Sequence, residues 1–124
     1  MGKIVLAVVT VMLSAVTVVA AEYEMIDLGT VGGRQSFAAG INNRGQIVGS
    51  SDTPTNQTHG FLWEDGAMID LGALGGNFSC AGATNSRGQV VGASFVDSTF
   101  NHAFLWKEGV MEDLGTLIFT GKLS

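Results

Sequence analysis

Residues 59–74 read HGFLWEDGAMIDLGAL, and residues 102–117 read HAFLWKEGVMEDLGTL, the same order of residue types with no gap between the two. Asp27, Asp70 and Asp113 stand 43 positions apart in each case, and roughly half the positions of 25–67 recur unchanged in 68–110. A fixed period of this length marks a repeat architecture in which each unit is one supersecondary element.

Inside the unit the pattern is that of short strands. In SFAAGIN, Phe37, Ala39 and Ile41 alternate with Ala38, Gly40 and Asn42, the period of two of a half-buried strand. NNRG at 42–45 and NSRG at 85–88 place a glycine where a type I turn closes through a left-handed residue, so a second strand, QIVGS or QVVGA, follows by a hairpin. The loops 52–58 and 95–101 then differ most between the copies and hold the sole proline, Pro54. HGFLW and HAFLW read as third strands, EDG and KEG as hairpins of the same type as the first, and AMIDLG and VMEDLG as fourth strands. YEMIDLG at 23–29 reads as one more fourth strand ahead of the two whole units. Four antiparallel strands in 43 residues match the size of a propeller blade, yet two units are too few for a ring of about four or more. The expected fold is all-β: tandem four-stranded, propeller-blade-like units in an incomplete array, preceded by a signal-peptide helix.

Residues 1–21 carry one basic residue, Lys3, then an apolar run, then small residues before Glu22. This is the form of a secretory signal cleaved after Ala21. The alternative is retention as an anchor, since about 18 apolar residues reach across a bilayer. The organisation read from the chain is thus a signal peptide at 1–21, two repeats plus a partial third over 22–117, and an unrelated tail at 118–124. Without Lys3, five basic residues face eleven acidic ones, which argues against nucleic acid as a partner. Cys80 is the single cysteine, so an exported chain has no internal disulfide. It stands where Phe37 stands one repeat earlier and is read as a small buried hydrophobe.

The string HAFLW, then G, M, DLG, LGG, S, A, N and GQVVG, resembles the HAF-repeat family of bacterial extracellular proteins. The tripeptide is literal at His102, Ala103 and Phe104 and reads His59, Gly60, Phe61 in the earlier copy. The resemblance covers nearly all of 25–117 and implies export, tandem repeats and a propeller-like arrangement; it carries no biochemical role. After Leu117 the expected GG is replaced by Ile118 and Phe119, so the chain reads as the start of a longer array.

Several residues invite a chemical role. Asp27, Asp70 and Asp113 in register could act as paired acids and bases or bind calcium; the simpler role is to fix the DLG turn through backbone hydrogen bonds. His59 and His102 lie at alternate positions with the aromatic residues, which suits a hydrogen-bonded strand residue better than a metal ligand, because no third ligand shares the motif. Trp63 and Trp106 fit core packing between sheets better than a carbohydrate platform. Gly32, Gly33, Gly75 and Gly76 are turn glycines, with no helix to complete a phosphate cradle. Arg44 and Arg87, at hairpin tips, are read as solvated. No catalytic, cofactor or metal residue is assigned.

The functional expectation is an exported non-enzymatic module, or part of a longer array, with a structural or interaction role at the cell surface, outside the cell or in the periplasm. It would meet a protein or carbohydrate partner through loops 52–58 and 95–101. The competing reading is part of an extracellular hydrolase using the repeated Asp or His residues. Symmetry separates them: a scaffold keeps its polar residues in every unit, whereas a site breaks the pattern at one place. Counting edges adds an expectation of self-association, since two sheets leave outward faces carrying Phe, Leu and Trp without a neighbour.

Overall fold

A computed structural model describes residues 22–116. The expected signal peptide and its helix at 1–21 and the tail at 118–124 lie outside the described residues. The chain is all-β: β1 (Ser36–Ile41), β2 (Ile47–Asp52), β3 (Thr58–Glu64) and β4 (Ala67–Gly72) form one sheet, and β5 (Ser79–Thr84), β6 (Val90–Phe95), β7 (Asn101–Lys107) and β8 (Val110–Gly115) form the other. Each sheet is an antiparallel meander in sequence order, and the two share one register displaced by the repeat length: Phe61 faces Asp70 as Phe104 faces Asp113. They do not close into a propeller. Among the described residues no helix is long and apolar enough to cross a membrane.

The first hairpin is as expected. Asn42 Oδ1 accepts from the backbone N–H of Arg44 and of Gln46, both at 3.0 Å, and Gly45 closes the turn with φ +76°. The second is not of the same type. Its loop is two residues, Asp65–Gly66 or Glu108–Gly109, with φ positive at both (50° and 86°; 50° and 85°). A two-residue loop must twist with its flanking strands, and only the mirror-image turn does so.

Strand β1 also departs from simple alternation. Its register against β2 shifts between Ala38 and Gly40, and Phe37 and Ile41 remain 63% and 68% exposed. The bulge brings the β1 backbone so close to Gly49 that a Cβ there would overlap the Phe37 carbonyl; Gly92 meets Cys80 in the same way. YEMIDLG is not a strand: residues 22–30 are irregular, with Met25 and Ile26 exposed. A fourth strand needs a third to pair with, and the positions one period before HGFLW, 16–20, lie outside the described residues.

Sheets pack with β5 lying across β1, β2 and β3. The shared core is Val48, Leu62, Leu71, Ala81, Val90, Phe104 and Trp106. Gly60 makes the closest approach: a Cβ there would stand 3.1 Å from the Ala81 nitrogen and 3.4 Å from its Cβ. Fully buried Ser79 stitches this contact, its Oγ accepting from Gly60 N–H at 2.8 Å and donating to the Gly72 carbonyl. Asn42 Nδ2 donates to the Asn85 carbonyl at 2.7 Å. Phe61 and Phe104 are both fully buried and Trp106 nearly so, which corrects the expectation that the outward faces carry the phenylalanines of the third strands, while Trp63 and Leu105 are half-buried. Each third strand is an inner strand of its meander, between the second and the fourth. The large apolar residues left exposed on the strands are Phe37, Ile41, Ile69, Val91, Val110 and Leu114. Cys80 is a half-buried free thiol and not a core residue.

Candidate functional site

The connections β2–β3 and β6–β7 lie at the same end of their sheets as the β4–β5 link, because in a meander alternate turns fall at the same end. Loops 52–58 and 95–101 are there, each shortened by the outermost strand pairs, Asp52 with Thr58 and Phe95 with Asn101. Their chemistry differs. The first is organised by Thr53, whose N–H donates to the Gln57 carbonyl at 2.8 Å and whose Oγ1 accepts from Gln57 N–H at 3.2 Å. The second is organised by Asp97, whose Oδ1 accepts from the N–H groups of Thr99 at 2.7 Å and Phe100 at 2.9 Å. Those two bonds lower the Asp97 pKa below the usual carboxylate value, with His102 adding a smaller charge attraction.

Beside the first loop, Arg34, Gln35, Asp52 and Asn56 line a polar groove of about 380 Å3. The same four positions one repeat later are Asn77, Phe78, Phe95 and Thr99. There Phe78 and Phe95 stack in a tilted pair, ring centroids 5.4 Å apart. A cation, an amide, a carboxylate and a second amide in one unit have thus become a plug of aromatic surface in the next. Here the repeat breaks its polar pattern, as it also does where Thr53 and Gln57 become Val96 and Phe100.

Two histidine–aspartate pairs lie at the same end. His59 Nδ1 is 2.8 Å from Asp70 Oδ1, and His102 Nδ1 is 2.9 and 3.0 Å from the two carboxylate oxygens of Asp113. Each aspartate also caps its own turn, accepting from Gly72 N–H at 2.8 Å or Gly115 N–H at 2.7 Å, and Asp27 does the same for Gly29 at 2.9 Å. The turn-fixing role read from DLG therefore appears in all three copies. Asp113 has its pKa lowered first by the Gly115 amide and then by the His102 side chain. A carboxylate on Nδ1 fixes the imidazole tautomer with Nε2 as the acceptor, the arrangement a nucleophile would need. Among the described residues, however, neither histidine hydrogen-bonds a serine, threonine or cysteine side chain, and no three His, Cys, Asp or Glu side chains gather as a metal site.

Sequence reasoning treated these histidines and aspartates separately. Their pairing is implied by the turn: a two-residue loop at 65–66 sets Phe61 opposite Asp70 and leaves His59 diagonal to it on the same face. The groove residues Arg34 and Gln35 were not singled out, although their replacement by Asn77 and Phe78 is visible in the repeat alignment. Arg44, read as solvated, is exposed and also reaches Glu64 Oε2 at 3.4 Å and the Ser86 carbonyl at 3.5 Å. No family model matches the chain, and neither a curated protein nor a solved structure matches it.

Proposed function

We propose that the chain is an exported, non-enzymatic β-repeat module of the HAF type, built of propeller-blade-like units, that engages a protein or carbohydrate partner at its loop end. The observation that carries this reading is the polar groove of Arg34, Gln35, Asp52 and Asn56, present in the first unit and replaced by the Phe78–Phe95 pair in the second. The histidine–aspartate pairs support a scaffold role, since they recur in both units with the same turn-capping bonds. Side-chain amides, a guanidinium and a carboxylate offer the paired donors and acceptors that sugar hydroxyls or a peptide backbone require.

The test is binding of the full chain to an array of glycans and cell-surface proteins, repeated with Arg34→Ala and Asp52→Asn. Binding lost in both variants with an unchanged circular dichroism spectrum supports the reading. Binding unaffected by both, or a hydrolytic activity abolished by His102→Gln in a folded protein, overturns it in favour of the hydrolase.

A further inference from the structure

The two sheets are near-copies, so the contact between them defines two complementary surfaces: the face the first sheet gives and the face the second sheet receives with. Giving residues in the first sheet are Gln46, Val48, Leu62 and Leu71, all buried. Their counterparts in the second sheet, Gln89, Val91, Leu105 and Leu114, form an open face, with Val91 44% and Leu114 54% exposed. On the receiving side Ser79, Ala81, Val90 and Trp106 are buried, while Ser36, Ala38, Ile47 and Trp63 in the first sheet are exposed or only half-buried. The described molecule therefore carries an unused giving face at one end and, at the other, a receiving face with only segment 25–28 beside Ser36, Ala38 and the buried Phe61.

We infer that a second copy of this chain docks head to tail, its first sheet on the second sheet of the first copy, reproducing the contact the chain already makes within itself. This goes beyond the loop-end partner proposed above and does not depend on it. The polar stitches have their donors in place. Asn42 Nδ2 serves both Gln46 Oε1 at 2.7 Å and the Asn85 carbonyl across the contact, whereas Asn85 Nδ2 serves only Gln89 Oε1 at 2.8 Å among the described residues. Its second hydrogen points the role to the Asn42 carbonyl of the incoming copy.

Two features modify the copied contact. Ala103 replaces Gly60 at the point of closest approach, and a Cβ at that point lies 3.1 Å from the facing backbone nitrogen, so the facing strand must yield by a few tenths of an ångström. Segment 25–29 holds the place where the fourth strand of the preceding sheet belongs: Ser36 Oγ donates to the Gly29 carbonyl at 2.7 Å, as Ser79 does to Gly72. Strand β8 of the first copy takes that place against the first sheet of the incoming one. Segment 25–29 has no sheet partner to lose, so its displacement costs less than release of β8, which is paired along its length with β7. The interface is heterologous, and it closes into a ring only where the rotation between copies allows; propellers of four to eight sheets correspond to roughly two to four copies.

Sedimentation of the full chain over a range of micromolar concentrations, with two face-blocking variants, tests this. Val91→Asp blocks the giving face and Ala38→Asp the receiving face. The wild type should form oligomers, each variant alone should be monomeric, and an equimolar mixture should form a dimer and nothing larger, because each variant keeps the face the other lacks. Ala103→Gly should tighten assembly severalfold and Ala103→Leu should prevent it, neither change touching the internal core. A wild type that stays monomeric throughout, variants that assemble as the wild type does, or a mixture that remains monomeric overturns the inference.

Discussion

The first sheet and the second differ little in sequence and register but sharply in what covers them. Val48 is fully buried and Val91 nearly half exposed; Ser79 is fully buried and Ser36 is not. The difference follows from position alone, since one sheet has a neighbour on its giving face and the other on its receiving face. Each unit thus completes only one side of its core within the described chain. A unit of this kind is stabilised by its neighbours about as much as by its own strands, which is the energetic signature of repeat proteins.

Equivalent substitutions in the two sheets should therefore cost unequal amounts, read by chemical denaturation. The largest gap is expected at the phenylalanines. Phe104→Ala empties the centre of the shared core and should cost about 3–5 kcal/mol. Phe61→Ala should cost less, because Phe61 borders an open groove of about 540 Å3 shared with Met25–Leu28 and the vacated space can fill with water or collapse. Equal losses would mean the two faces are equally closed. Val48→Ala should cost about 2 kcal/mol and Val91→Ala under about 0.5 kcal/mol, the cost of a buried against a surface change; assembly through the open face would raise the second figure with protein concentration.

Ser79→Ala should cost about 1.5 kcal/mol by leaving the buried Gly60 N–H without an acceptor, and Ser36→Ala under about 0.5 kcal/mol. The smallest effect is on acid stability. Asp97 and Asp113 have folded pKa values below the ordinary one, so each contributes stability that is present above about pH 4 and lost as the pH falls through the folded value. Asp97→Asn with Asp113→Asn should flatten the acid limb of the stability curve; an unchanged slope would show that neither carboxylate carries it.

Much of the architecture is legible in the chain because it is written twice. AMIDLG predicts β4 to the residue, and the turn glycines Gly45, Gly66, Gly88 and Gly109 mark the hairpins. The YEMIDLG segment misleads for a physical reason: it has the sequence of a strand, but pairing is a property of two segments, and among the described residues no third strand precedes it. The His59–Asp70 contact is half legible, since turn length fixes the diagonal while the hydrogen bond depends on side-chain geometry at the bulge between Gly60 and Phe61.

Local pattern alone determined that this protein is all-β, that it repeats every 43 residues, where most strands run and which aspartates cap turns, because period-two alternation, turn chemistry and side-chain-to-backbone bonds act over a few residues. Only the tertiary structure decided which of two identical valines is core and which is surface, and that a polar groove opens beside Arg34 where its repeat partner is plugged by phenylalanine. Burial depends on what lies on the far side of a sheet, and no window of sequence contains that neighbour.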